Sequence, residues 1–162
     1  MAAQLWLLRH GEAEPHDARA DDADRRLTER GEAQARDAGR ALVATGVHFG
    51  LVFTSPRVRA LDTARLACEA LGVEPVVHPP LGEGLDVHEA LALAAAGGPE
   101  GRTLLVGHEP DLSQVVHDLT GARAQMKKGG LTGIALRSGT GGELLVLLRP
   151  RELRGLAGHD VP

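Results

Sequence analysis

Leu5-Trp6-Leu7-Leu8-Arg9-His10-Gly11 joins an unbroken apolar run to a guanidinium, an imidazole and a glycine. A short run of this kind suits a strand buried on both faces, the kind of strand found in a parallel sheet sandwiched between helices. Ligands of open α/β sheets sit at the carboxyl ends of such strands, Arg offers a planar fork of donors to phosphate oxygens, and Gly lets backbone approach a ligand closely. The stretch therefore predicts a strand end that presents residues to a phosphoryl group, with Gly11 among those that bind it. Taken alone, His-Gly after a strand is more often a turn carrying a solvated imidazole.

Two further stations repeat the pattern. Phe49-Gly50-Leu51-Val52-Phe53 runs into Thr54-Ser55-Pro56-Arg57-Val58-Arg59-Ala60, and Thr103-Leu104-Leu105-Val106 runs into Gly107-His108-Glu109-Pro110. Between them Glu83 follows Pro79-Pro80-Leu81-Gly82 and is a candidate proton donor, flanked by glycines as a solvated loop Glu also would be. Strand-Arg-His-Gly, strand-Ser-Pro-x-x-Arg-Ala and strand-Gly-His-Glu-Pro, in this order over about residues 4 to 149, resemble the histidine phosphatase superfamily, which includes phosphoglycerate mutases and small phosphohistidine phosphatases. The resemblance implies that His10 is the nucleophile and carries the phosphoryl group transiently. It further implies that Arg9, Arg59 and His108 surround the non-bridging oxygens, the electrostatic work that phosphoryl transfer chiefly demands. The family pattern selects Arg59, and Arg57, two residues earlier, would point to another helix face and reads as solvated. The Ser55 hydroxyl suits either the phosphate or a helix cap, and the cap is preferred.

The 162 residues suffice for one domain spanning 1–162 with a two-sided sheet core, of which 150–162 form an ordered cap or a loose tail. Hydrophobic residues make up 43% and charged residues 25%, as in ordinary globular chains, and the longest apolar runs are of strand length, so no membrane segment is expected. The first strand begins by about residue 4, leaving no room for a secretory signal, and a cytoplasmic location is the default expectation. A net charge of −4 and 2% aromatic residues, with no Tyr, argue against a nucleic-acid partner. Cys68 lies on an apolar helix face and reads as a packed side chain. His10, His78, His88 and His108 lack tight ligand spacing, and a phosphate held by Arg and His needs no cation, so neither metal nor other cofactor is expected.

Helices and strands alternate. Thr28 caps a helix that runs to about Gly46; Pro56 suits the start of the next, which closes at Gly72; Pro75–His78 is a third strand; and Asp86 with Glu89 resembles a capping box for a short helix to about Ala96. Arg102–Val106 is the fourth strand, and Pro110 opens a helix to Gly121 whose free amides would add positive potential beside His108. Leu131–Arg137 and Glu143–Arg149 read as a hairpin joined by Ser138-Gly139-Thr140-Gly141-Gly142. Together these predict an α/β fold, a three-layer α/β/α sandwich around a mostly parallel mixed sheet with an antiparallel edge, and the resemblance adds that it is phosphoglycerate mutase-like.

Mutases and many small-molecule phosphatases of the resembled superfamily carry a long insertion after the third strand that roofs the site, whereas only about two dozen residues separate the third and fourth strands here. An open site suits a protein side chain. Arg26-Leu27-Thr28-Glu29-Arg30-Gly31 and Met126-Lys127-Lys128-Gly129-Gly130 are similar to stretches of the compact phosphohistidine phosphatases. Lys127 is placed with substrate binding, although it and Lys128 equally suit a strand flank. Phosphohistidine expels an imidazole of pKa about 6.5, so a strong general acid is dispensable. The loop Glu12–Asp24 holds six acidic residues against one Arg; if it rims the pocket, it repels highly anionic metabolites and favours a neutral or basic protein surface. The expected activity is a phosphohistidine phosphatase acting on a protein, with a phosphatase of small phosphate esters or phosphoanhydrides and a non-catalytic phosphate-binding module as rivals.

Overall fold

Leu5, Trp6, Leu7 and Leu8 are all buried because the first strand, β1 (Gln4–Arg9), has a helical layer on each face. Side chains alternate across a strand, so Leu5 and Leu7 enter one core while Trp6 and Leu8 enter the other. A computed structural model describes residues 2–138 and 141–162. After β1 come a 3-10 turn (Asp22–Asp24), α1 (Glu29–Ala44), β2 (Leu51–Thr54), α2 (Val58–Leu71), β3 (Val76–Val77) and a second 3-10 turn (Pro79–Gly82). The chain continues through α3 (Val87–Ala95), β4 (Arg102–Gly107), α4 (Asp111–Thr120), β5 (Leu131–Leu136), β6 (Gly142–Leu148) and α5 (Pro150–Leu156).

The six strands are ordered β3-β2-β4-β1-β5-β6. β3, β2, β4 and β1 pair in parallel, and β5 pairs antiparallel with both β1 and β6. The expected three-layer sandwich with a mostly parallel sheet and an antiparallel edge is the observed fold. One core joins the sheet to α3 and α4 through Leu93, Leu112, Val115 and Val116; the other joins it to α1, α2 and α5 through Ala38, Leu42, Ala64 and Leu153. Each fully buried Leu contributes about 1.5–3 kcal/mol, so the two layers fix the sheet from both sides.

Side chains set the element boundaries. Thr28 Oγ1 accepts from Gly31 N at 3.1 Å and Asp86 Oδ1 from Glu89 N at 2.9 Å, as the sequence led us to expect. α2 starts at Val58 rather than Pro56, because Arg57 is its extended N-cap residue. The third strand contracts to Val76–Val77 at the sheet's outer edge, where both side chains are exposed. Gly139 and Thr140 of the hairpin connection lie outside the described residues. The segment after residue 150 is an ordered cap: α5 buries Leu153, and His159 Nε2 bonds the buried Asp37 carboxylate at 3.0 Å. Cys68 is buried, and burial pushes its thiol up to about 11, away from reactivity. Among the described residues no helix is long and apolar enough to cross a membrane.

Candidate active site

β2, β4 and β1 are neighbours, so their carboxyl ends fall side by side, with Arg9 level with Gly107 and Thr54 with Val106. The residues that follow are held by continued backbone pairing: His10 N donates to Gly107 O at 3.1 Å and Ser55 N to Val106 O at 3.0 Å. The three stations distant in sequence thereby meet in one pocket of about 380 Å³. Its lining includes Arg9, His10, Arg59 and His108, together with Asp22, Arg25, Arg57, Glu109, Lys128 and His16.

His10 is buried, and its Nδ1–H donates to Gly11 O at 2.7 Å, which leaves the lone pair on Nε2. Burial lowers its pKa to about 3 despite the Gly11 carbonyl, and Arg59, Arg9 and Lys128 lower it further. His108, its ring centroid 5.2 Å from that of His10, is also lowered to about 3, by burial first and then by His10, Arg59 and Arg57. Both rings are therefore neutral near neutral pH. Ser55 Oγ accepts from Arg57 N at 3.1 Å and lies 2.7 Å from His108 Nε2; because among the described residues no other acceptor is in reach of its hydroxyl proton, the pairing assigns that proton to Nε2 and the His108 proton to Nδ1. Ser55 thus serves the helix start and also orients His108, and it does not line the pocket. Ser55→Ala is expected to reduce kcat/KM about 5- to 50-fold, the cost of an unpartnered buried ring nitrogen, with Ser55→Thr closer to the parent; steady-state kinetics of the two variants check this.

The guanidiniums are organised by one carboxylate. Arg59, buried on α2, donates from Nη1 to Asp22 O at 2.9 Å and from Nη2 to Asp22 Oδ2 at 3.0 Å. Arg57 Nη1 reaches the same Oδ2 at 3.3 Å, and Arg25 Nε donates to Oδ1 at 2.7 Å. Burial opposes ionisation of Asp22, yet the Arg25 hydrogen bond and the Arg59 charge hold its pKa down to about 2. Arg9 donates from Nη1 to Met126 O at 2.9 Å. Desolvation lowers the pKa of both Arg9 and Arg59, which remain cations. Among the described residues, the buried side-chain nitrogens without a hydrogen-bond partner are Arg9 Nε, Arg59 Nε and His108 Nδ1, all from this pocket. Unsatisfied buried donors are costly, and an oxyanion supplies the acceptors they lack.

Several expectations are corrected. Arg57 is not a solvated side chain: as an extended N-cap residue it escapes the helical periodicity that would turn it away, and it lines the pocket. Gly11 does not expose backbone to the ligand; its N–H donates to Thr63 Oγ1 at 3.1 Å, and a Cβ there would stand 2.5 Å from Gly31 O, so its smallness serves the approach of α1. Glu83 is 91% exposed and outside the pocket lining, its carboxylate 3.8 Å from Arg57 Nη2. Lys127 lines an adjoining cleft, whereas Lys128 reaches the pocket. The first amides of α4 do not face the ligand freely, since Glu109 Oε1 accepts from Ser113 N at 2.8 Å. The acidic loop directs Asp22 into the pocket, and Glu14 pairs with Arg19 at 3.0 Å. The sequence does not by itself place Asp22, Arg25, His16 and Glu109 in the pocket. The signal for the first two was Asp22-x-x-Arg25 just ahead of the Thr28 cap. Among the described residues no cluster of three His, Cys, Asp or Glu is placed to hold a metal ion.

The buried histidines fix the sign of the pH response. Above about pH 6.5 they are neutral folded or unfolded; below it the unfolded chain takes up protons that the folded protein refuses until about pH 3. Stability is therefore lost progressively as pH falls from 6.5 towards 3, and Asp22 adds a loss between 3.8 and about 2. Urea midpoints are expected to drop between about pH 7.5 and about pH 4.5, less steeply in His10→Gln; equal slopes in parent and variant would exclude His10 as a source.

Residues 5–95 match the family described as histidine phosphatase superfamily, branch 1. An uncharacterized protein of Picosynechococcus sp. is 34% identical over 93% of this chain and 98% of its own. The 2,3-bisphosphoglycerate-dependent phosphoglycerate mutase of Streptococcus agalactiae is 45% identical over 69 residues, which are 41% of this chain and 30% of the mutase. In fold, the chain is similar to the solved structure of the protein histidine phosphatase SixA complexed with tungstate, with a TM-score of 0.83 and 24% identity over 93% of this chain and 99% of that one.

Proposed function

The chain belongs to the histidine phosphatase superfamily, branch 1, and on that footing we propose that it removes the phosphoryl group of phosphohistidine on a protein, through a phosphoenzyme at His10 and without a metal ion. Membership supports phosphatase activity. The substrate and the intermediate rest on the site. The observation that carries them is His10: buried, neutral, its Nδ1–H engaged by Gly11 O and its Nε2 lone pair left among Arg9, Arg59 and His108. In the first step Nε2 attacks phosphorus while the substrate P–N bond breaks, and the substrate ring, protonated on its other nitrogen, takes the bonding pair and leaves as neutral imidazole. Water then attacks the phosphorylated His10, its proton passes to solvent, inorganic phosphate departs, and the His10 lone pair is restored. The transferring group is stabilised throughout by the Arg9 and Arg59 charges and by His108.

Residues 78–101, between β3 and β4, do not line the pocket, which leaves it open to a side chain presented by a protein. The protein histidine phosphatase SixA, similar in fold, is in keeping with this choice. A second reading, hydrolysis of small phosphate esters, has one observation in its favour: the carboxylate of Glu109 lines the pocket where a proton donor for an alkoxide would be needed. Incubating the protein with a phosphohistidine-bearing protein and with a panel of phosphate esters separates the two, with phosphate release and acid-labile phosphate on the enzyme as readouts. Faster release from phosphohistidine and label on the parent chain support the proposal. Preference for esters, lost in Glu109→Gln, favours the second reading, and neither turnover nor label would leave a phosphate-binding module.

A further inference from the structure

Beside the pocket lies a cleft of about 470 Å³ that shares Arg9 and Lys128 with it and is lined further by Arg30, Lys127, Arg149 and Arg151. Six cations thus face a single lining carboxylate, Glu12, in a chain whose net charge is −4. Arg30 lies 3.6 Å from Glu12, and Arg149 bonds Glu152 at 2.9 Å. Lys127, Lys128 and Arg151 are exposed and have no ion partner among the described residues. Like charges gathered without counter-charges raise the free energy of the chain and lower it again when an anion binds.

The gathering is built into the fold. Gly129, at φ +78°, donates its N–H to the carbonyls of both Arg9 and His10, at 3.1 and 2.8 Å, and this folds the Lys127–Gly130 turn onto the end of β1. Only glycine adopts that conformation without strain, so the turn that carries both lysines is anchored to the strand that carries the nucleophile. Arg149 and Arg151 flank Pro150 where α5 leaves β6, and Arg30 stands on the first turn of α1. The Lys127–Gly130 turn, the start of α1 and the β6–α5 junction thus converge to hold the cations.

We propose that this cleft is a substrate subsite for an acidic polypeptide segment lying next to the phosphorylated side chain, so that the enzyme selects phosphoproteins whose modified residue is flanked by Asp and Glu. This rests on the reading above only for the position of the phosphoryl group. It reverses the preference for neutral or basic surfaces that the acidic loop suggested, because the loop's Asp22 turns inward to Arg25, Arg57 and Arg59 while the cations remain exposed. An extended acidic segment can reach cations contributed by α1, the Lys127–Gly130 turn and the start of α5 together, whereas a compact metabolite would meet only some of them.

The test reads binding rather than turnover. A rhodamine-labelled hexaglutamate peptide, with hexaglutamine as control, is titrated with the protein at low salt and followed by fluorescence anisotropy. The expected result is at least tenfold tighter binding of hexaglutamate, weakened about tenfold or more in Lys127→Glu/Arg151→Glu and about half as far, in log units, in Lys127→Gln/Arg151→Gln, and falling steeply with added salt. Both residues are exposed, so thermal unfolding of the variants should match the parent and show that the loss is local. Equal binding of the two peptides, no change in the charge-reversed variant, or tighter binding of inorganic pyrophosphate than of hexaglutamate at the same residues would overturn the proposal. Turnover of phosphohistidine without a peptide preference sinks the subsite alone, and peptide preference without turnover sinks the phosphatase reading alone.

Discussion

His10→Ala is expected to lower kcat toward a phosphohistidine protein by about 10⁴- to 10⁶-fold, the scale seen when a nucleophile is deleted, and to abolish acid-labile phosphate on the enzyme. The two effects belong together, because His10 Nε2 forms the only covalent bond that the proposed reaction makes to the protein. Without it, water must reach phosphorus directly in a pocket that still offers Arg9, Arg59 and His108 but no internal nucleophile. Binding should behave differently. The guanidiniums are held by Met126 O and Asp22, not by His10, so the affinity for inorganic phosphate or tungstate should stay within a few-fold of the parent. Truncation leaves space that opens onto the pocket, where water can enter, so little stability is lost through an empty cavity. Rapid-quench labelling and a phosphate titration of the same preparation check both halves. Turnover within about a hundredfold of the parent, or label that survives in the variant, would show that another group carries the phosphoryl.

The strand ends were legible because burial on both faces leaves a plain mark. β1, β2 and β4 lie inside the sheet, so their apolar runs stop where the chain emerges, and the residues after the stop belong to the site. β3 left a weaker mark, since Val76 and Val77 sit at the exposed edge and are held mainly by pairing to Phe53 and Thr54. Asp22 was hidden for another reason. Its place depends on the path of the 12–24 loop, whose 3-10 turn is set by Asp21 accepting from Ala23 N and by Arg25 reaching Glu14 O. Nothing in charge counting separates the one loop acid that lines the pocket from the five that do not. Arg57 escapes the helical periodicity that predicts it solvated, because it lies one residue before the helix begins. Gly11 suits a ligand by local pattern, yet the need for glycine there comes from Gly31, twenty positions away in sequence and brought close only by the packing of α1. Local pattern thus located the residues that end buried strands, and it failed where a side chain's role is decided by a distant backbone atom.

Arg59→Ala is expected to cost about 10²- to 10³-fold in kcat/KM, the range for removing one preorganised donor from a transition-state charge. The guanidinium is fixed before substrate arrives: two of its nitrogens are engaged by Asp22, and Nε lacks a protein partner. A donor held this way does not reorganise as charge develops on the transferring group, so its loss falls on the transition state and should appear in kcat. Arg59→Lys tests geometry apart from charge. An ammonium keeps the charge and three N–H donors, but they radiate from one atom and cannot match the separate Nη1, Nη2 and Nε positions of the planar guanidinium, so it should recover only part of the loss, leaving about a tenfold or larger deficit. Asp22→Asn approaches the same point from the other side. It keeps the carbonyl contact to Arg59 Nη1 and removes the charge shared with Arg25 and Arg57, so repulsion among three guanidiniums should loosen Arg59 and lower kcat more than it raises KM. Stability offers a control, because in Arg59→Ala the Asp22 carboxylate retains Arg25 at 2.7 Å and Arg57 at 3.3 Å, and the folded state loses no carboxylate partner that it cannot replace. Full kinetics of the three variants beside their thermal midpoints decide the matter. Arg59→Ala with kcat/KM within about fivefold of the parent would remove Arg59 from the transition state and leave it a structural partner of the loop.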